Sequence, residues 1–517
     1  MLEFLDRFWI AFPFSYALTV GGLVTGYRRG GVPAEGRLSR ALVAGLPVVV
    51  GVIFAWVWIR GIAESGLHAS PLRALHAVLF ILFVLSSSAL TGAVLARRKR
   101  ASTVARGTVL LEGAQQESAA PRPDALTLAG RPIPLADETK HFKIIGTTGT
   151  GKSTAIREIL TGALRRGDRA VIADPDGGYI KRFYDPSRGD VILNPFDTRS
   201  ARWDLFAEIT LPQDADQLAR SFIPEYEGQE PIWPGFARTY VACVLRQLQR
   251  VEGPNLATLH HLLTKAPEDE LRDLLQETTA ARFLGKKEGG KFLQSVQSVT
   301  GQHLDGIQYL ARQSAGHALS IKRWIREGRG VLFLPYSANE IASLRHLISA
   351  WMRIAIFEAL SGQEGVDQRI WFVIDELDAL GAIDGLKDAL TRLRKFGGRC
   401  ILGFQSIAQV RGSYGPSASQ SIVENCGNTV ILRCSASEQG GTAEFASRLI
   451  GQRQVVRQQH STSRSGWFAK THSVSDQIFT EDAVMASEIE QLPDLSGFLK
   501  LASQPQWQRV TLVPAGH

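Results

Sequence analysis

Gly146-Thr-Thr-Gly-Thr-Gly-Lys152-Ser153 is the stretch that decides the reading of this chain. It fits G-x-x-x-x-G-K-[S/T] at every fixed position. The apolar residues Phe142, Ile144 and Ile145 precede it, as expected of a buried strand, and residues 155–160 have helical composition. A glycine-rich loop between strand and helix lets successive backbone N–H groups curl around phosphate oxygens, and the helix N-terminus adds its positive dipole end. Gly146, Thr147, Thr148, Gly149, Thr150, Gly151, Lys152, Ser153 and Thr154 are the expected nucleotide cradle. Lys152 is expected to reach the terminal phosphates and Ser153 to ligate Mg²⁺. The competing reading, a chance glycine-rich turn, does not account for the flanking strand and helix.

The chain has 517 residues, 44% hydrophobic and 21% charged, which predicts two or three globular domains and argues against disorder. A formal net charge of +8 leans weakly towards a polyanionic partner or a membrane surface. The four cysteines, Cys243, Cys400, Cys426 and Cys434, have no C-x-x-C spacing and read as reduced core thiols. Residues 41–59 and 74–96 carry no charge, and each is long enough as a helix, roughly 28–34 Å, to cross a bilayer. Arg28, Arg29, Arg37 and Arg40 precede the first run, and Arg97, Arg98, Lys99 and Arg100 follow the second. That asymmetry predicts a membrane hairpin with both basic flanks in the cytoplasm. A third uncharged run, 8–27, contains Pro13 and several glycines and is a weaker candidate span.

Downstream, Arg169-Ala-Val-Ile-Ala173 reads as a strand ending in Asp174-Pro-Asp-Gly-Gly178. Asp174 stands either as a ligand-binding group at a strand tip or as simple turn chemistry. Residues 211–313 have helical stretches and little strand character, the pattern of an inserted helical domain. Arg369-Ile-Trp-Phe-Val-Ile374 is an apolar run ending in Asp375-Glu376, the Walker B arrangement. Asp375 is expected to serve Mg²⁺, and Glu376 to orient or deprotonate the attacking water. The next strand, Arg399-Cys-Ile-Leu-Gly-Phe404, ends at Gln405, a candidate sensor of the terminal phosphate. Arg394, on the helix after Walker B, is a candidate arginine finger for a neighbouring copy, with Arg448 and Arg457 weaker candidates. A solvated helix face accounts equally well for any one of these arginines.

The ordered set resembles the TraD/TrwB-type coupling proteins of conjugation and type IV secretion. It consists of the membrane hairpin, the P-loop, Asp174-Pro-Asp-Gly-Gly, Asn194-Pro-Phe-Asp-Thr-Arg, Ile374-Asp-Glu-Leu377, Gly403-Phe-Gln-Ser406 and Gln491-Leu-Pro-Asp-Leu-Ser496. The resemblance implies an α/β fold: a RecA-like P-loop NTPase domain with an inserted all-α domain and an N-terminal transmembrane helical anchor. On this reading residues 1–100 form the anchor, 101–210 with 314–517 the RecA-like domain, and 211–313 the insertion. It also implies ATP and Mg²⁺ as cofactors, a homohexamer, and a multi-pass location in the bacterial inner membrane with the ATPase in the cytoplasm. The implied partners are single-stranded DNA, its relaxase and relaxosome, and the secretion channel. Carried over by motif, Lys152, Glu376, Gln405 and Arg394 are the catalytic set and Ser153 and Asp375 the metal set. The rivals are a protein-secretion motor, a double-stranded-DNA motor of FtsK/HerA type and a nucleotide-gated scaffold without turnover. Glu376 argues against the last, since a pure switch needs no base.

Overall fold

A computed structural model describes residues 20, 23–24, 103–111, 124–225, 232–285, 289–314, 316–437, 441–465 and 469–514. The chain divides into two compact units, 1–104 with 455–479 and 105–454 with 480–517. In the first, most of the described residues belong to two strands that neighbour each other in one sheet, Gln452–Ser465 and Ala469–Asp482.

The second unit is built on a ten-stranded sheet. Its strands are β1 (Leu110–Leu111), β2 (Phe142–Ile145), β3 (Arg169–Pro175), β4 (Val191–Ile192), β5 (Val331–Tyr336), β6 (Ile370–Ile374), β7 (Gly398–Phe404), β8 (Asn428–Ile431), β9 (Ser496–Lys500) and β10 (Trp507–Thr511). The spatial order is β1-β10-β9-β8-β2-β7-β6-β3-β5-β4. From β8 to β4 all pairings are parallel, while β8–β9 and β9–β10 are antiparallel. The central strands are apolar runs because both faces are covered. Successive residues alternate between two cores: Phe142, Ile144, Ala170, Ile172, Trp371, Val373 and Ile401 on one face, and Ile145, Val171, Ala173, Phe372, Ile374, Cys400 and Leu402 on the other.

The P-loop helix α1 (Lys152–Arg165) buries Ala155, Ile156, Ile159 and Leu160 against the first face. Helices fill the chain between β4 and β5: α2 (Asp214–Phe222), α3 (Ile232–Leu248), α4 (Leu256–Thr264), α5 (Glu268–Leu275), α6 (Gly289–Leu304), α7 (Ile307–Ala311) and α8 (Ile321–Glu327). Two more follow the next strands, α9 (Ile341–Ala359) after β5 and α10 (Leu386–Leu393) after β6.

The expected multi-pass membrane location is corrected by this structure. Among the described residues no helix is long and apolar enough to cross a membrane. The longest described helix, α9, has 19 residues but carries Arg345, Arg353 and Glu358, and packs inside the sheet's core. The apolar runs 8–27, 41–59 and 74–96 lie outside the described residues, apart from Val20, Leu23 and Val24.

Candidate nucleotide-binding site

The site forms where the carboxyl ends of β2, β7, β6 and β3 meet, the edge at which open α/β sheets bind ligands. β2 is fully buried and delivers the P-loop rigidly. The loop is held from three sides. Gly146 N donates to Phe404 O at 3.3 Å, Thr147 N to Arg433 O at 2.9 Å, and Leu495 N to Thr150 O at 2.9 Å. Within it, Thr150 Oγ1 donates to Thr147 O at 2.8 Å. Gly151 has φ +116°, and a Cβ there would lie 2.9 Å from Leu495 Cδ2, so both conformation and space demand glycine. Thr154 lies in the first turn of α1.

Lys152 is only 7% exposed. Its Nζ donates to Gly146 O at 2.9 Å and Thr147 O at 3.2 Å, so the ammonium lies across the mouth of the loop. Burial holds it below the ordinary lysine value, against the opposing pull of Asp375 and Glu376.

Asp375 and Glu376 follow directly from β6. Asp375 is 3% exposed, and its Oδ2 accepts from Ser153 Oγ at 2.6 Å and from Tyr179 OH at 2.8 Å. Its Oδ1 is buried and accepts from no group. A carboxylate bonded to the P-loop serine through one oxygen and left open at the other suits a divalent cation or its bound water. Glu376 is half-buried; burial, then the charges of Asp375 and Asp378, push its carboxyl above the usual range, while Gln405 and Lys152 oppose.

β7 lies between β2 and β6, so Gln405 at its tip stands between P-loop and acids. Its Nε2 donates to Glu376 Oε1 at 3.0 Å, and its Oε1 accepts from Thr148 Oγ1 at 2.9 Å. A chain of hydrogen bonds therefore runs from the P-loop residue Thr148 through Gln405 to Glu376.

Arg394 is not brought to this site within one chain. It is exposed in the short turn Arg394–Phe396 before β7, at the opposite edge of the sheet. Arg448 pairs with Glu444 at 3.7 Å, and Arg457 lies over the Phe479 ring. Asp174 resolves as a turn residue. Its Oδ1 accepts from Tyr179 N at 2.9 Å and its Oδ2 from Ile180 N at 2.7 Å, and burial raises its carboxyl to about 6 against those bonds.

Sequence reasoning missed Tyr179, whose partner Asp375 is 196 residues away and leaves no local signal. It also missed Asp378, whose buried Oδ1 has no partner; its place two residues after Glu376 was the available cue.

Residues 125–513 match the family model described as the type IV secretion-system coupling protein DNA-binding domain. The chain belongs to the type IV secretion-system coupling proteins. Coupling protein TraD of Escherichia coli (strain K12) is 32% identical over 377 residues, covering 72% of this chain and 52% of TraD. Protein VirD4 of Rhizobium rhizogenes is 23% identical over 413 residues, 77% of this chain and 58% of VirD4. The chain thus spans about half the length of the curated relatives it matches. Among solved structures, the unbound bacterial conjugative coupling protein TrwBdeltaN70 superposes with a TM-score of 0.71 at 31% identity, covering 80% of this chain and 94% of that one. TrwB in complex with ADP and Mg²⁺ gives 0.70 at 31% identity, covering 80% and 95%. The coupling-protein fold is therefore an α/β NTPase fold with a large central sheet.

Proposed function

We propose that this coupling protein is an ATPase motor that recruits single-stranded DNA, with its attached relaxase, and drives it to a type IV secretion or conjugation channel as a ring of six copies. The observation that carries this reading is the meeting of Lys152, the Ser153–Asp375 pair and the Glu376–Gln405 pair at one sheet edge, in a chain of this family.

ATP and Mg²⁺ are the cofactors: TrwB has been solved with the ATP analogue ADPNP and with ADP and Mg²⁺. The P-loop amides and Lys152 would hold the phosphates, and Ser153 and Asp375 the cation. Bound Mg²⁺ supplies charge that stabilises the transferring phosphoryl oxygens. The rest of the work falls to side chains. Glu376, with a carboxyl raised by burial, takes a proton from the attacking water. Gln405 fixes that carboxylate and reports the state of Thr148 in the phosphate cradle. Arg394 lies on the far edge of its own sheet, from which a basic side chain serves a neighbouring copy's nucleotide. The helices between β4 and β5 form the inserted all-α domain.

The test is ATP turnover of the full chain with and without single-stranded DNA at several salt concentrations, with Lys152→Ala as control. The expected result is DNA-stimulated turnover that weakens steeply with salt, as phosphate contacts require, and that vanishes in Lys152→Ala. Turnover indifferent to DNA favours the protein-secretion motor, and turnover surviving in Lys152→Ala refutes the ATPase assignment.

A further inference from the structure

β3 ends at Asp174-Pro175, and the chain turns so that Tyr179 is buried to 1% exposure. Its main chain is pinned, because the N–H groups of Tyr179 and Ile180 each donate to one oxygen of Asp174. Its ring is flanked by the Arg157 guanidinium, 5.7 Å from the ring centroid and one turn beyond Ser153 on α1. With backbone and ring both fixed, the hydroxyl has one direction in which to point. It donates to Asp375 Oδ2 at 2.8 Å, the oxygen that also accepts from Ser153 Oγ at 2.6 Å.

Three elements, the turn after β3, α1 and the tip of β6, thus converge on a single carboxylate oxygen. A buried tyrosine hydroxyl needs an acceptor, and a backbone carbonyl would satisfy it. Here the acceptor is instead the acid beside the P-loop serine. Two donors saturate Oδ2 and fix the plane of the carboxylate, which leaves Oδ1 as the buried oxygen without a partner.

We propose that Tyr179 is a positioning residue for the cation site: its hydroxyl clamps Asp375 Oδ2, already bonded to Ser153, so that the carboxylate cannot rotate and Oδ1 is held free for a cation or its bound water. The proposal rests on the ATPase reading above. When the serine oxygen turns to a cation, Tyr179 is the donor that keeps Asp375 from rotating. Within the phosphate cradle the tyrosine side chain reaches Ser153, the residue assigned to the cation, so loss of the hydroxyl is expected to fall on cation binding and to leave metal-free nucleotide binding alone.

The experiment uses this 517-residue chain with Tyr179→Phe, which keeps the ring and removes only the hydroxyl. Mg²⁺ is titrated against a fluorescent ADP analogue held by the protein, the analogue's affinity is measured separately in EDTA, and turnover is followed against Mg²⁺ concentration. The expected result is a rise in the Mg²⁺ half-saturation of about tenfold, the scale of one hydrogen bond to a charged group. Affinity in EDTA is unchanged, and excess Mg²⁺ restores most of the turnover. In an Asp375→Asn background the same substitution adds no further loss, because its partner is already altered. An unchanged Mg²⁺ half-saturation overturns the proposal, as does an equal loss of affinity in EDTA or a fully additive loss in the double variant. A wild-type chain whose nucleotide binding and turnover ignore Mg²⁺ defeats the ATPase reading and this inference together, an outcome visible before any variant is made.

Discussion

At the amino-terminal edge of the parallel strands, Glu138, Arg166, Asp168 and Arg399 bury their charges in one closed network. Arg166 forks onto both oxygens of Glu138 at 2.8 Å and onto both of Asp168 at 3.0 and 2.6 Å. Asp168 also accepts from Trp371 Nε1 at 2.9 Å, and Arg399 reaches Glu138 at 3.0 Å and Asp367 at 2.7 Å. At the carboxyl-terminal edge several buried polar atoms are left open. Asp375 Oδ1, Asp378 Oδ1 and the Tyr336 hydroxyl have no partner. An unsatisfied buried polar group costs about 1–3 kcal/mol, and three of them gather at the edge that carries the candidate site. The charges at the amino-terminal edge are saturated by the fold, whereas Asp375 and Asp378 keep an oxygen open.

That contrast assigns opposite signatures to substitutions at the two ends. Glu376→Gln has the largest expected effect: turnover falls on the order of a hundredfold to ten-thousandfold, the range of a lost general base. The amide still reaches Gln405, so ATP stays bound and thermal stability is little changed. Phosphate release measured beside nucleotide retention checks this, and rapid release would remove Glu376 from the chemistry. Arg399→Ala is expected to do the reverse. It removes one of the two arginines that hold Glu138 and leaves Arg166 as the other, costing about 1.5–3 kcal/mol of stability as a lost hydrogen bond to a charged group does, while the folded fraction keeps its nucleotide affinity. Denaturant unfolding and nucleotide titration read the two effects apart. A stable Arg399→Ala chain that has lost ATP would merge the two edges.

The parts of the site legible in the sequence are those whose chemistry is local. Gly146 to Ser153 is readable because phosphate geometry fixes its spacing, and Asp375-Glu376 because a strand tip must carry both acids. The α/β class came through the family resemblance that these motifs carry. Strand order was not legible, since nothing in residues 398–404 announces that β7 inserts between β2 and β6, yet that order is why Gln405 touches both Thr148 and Glu376. Asp174 was open between two readings because a turn carboxylate and a ligand carboxylate have the same local sequence; only its bonds to Tyr179 N and Ile180 N separate them. The late Gln491-Leu-Pro-Asp-Leu-Ser496 could be read only as a family mark. In the structure it closes the P-loop, through Leu495 N on Thr150 O. Apolar composition gave the membrane expectation from runs that lie, apart from Val20, Leu23 and Val24, outside the described residues, and among the described residues no helix is long and apolar enough to cross a membrane.

The smallest expected effect tests whether the saturated edge rejects a charge that has no partner. His141, just before β2, is 2% exposed. Its Nε2 meets Leu390 O at 2.9 Å and its Nδ1 accepts from Cys400 N at 3.1 Å, an arrangement that fits only the neutral ring. Burial, reinforced by the charges of Arg394 and Arg399 and opposed by the Leu390 bond, pushes its pKa down to about 4. In the unfolded chain the ring takes a proton near its ordinary value of about 6.5. Between those values the unfolded state binds more protons, so the contribution to stability is complete above about 6.5 and is lost as pH falls towards 4. At pH 5.5 the loss amounts to about 1.4 kcal/mol. His141→Gln cannot titrate, and the difference in its stability between pH 7.5 and 5.5 should shrink by about that amount. A difference equal to that of the wild type would mean that His141 accepts a proton in place, and that this edge of the sheet is no more closed to charge than the one that carries the site.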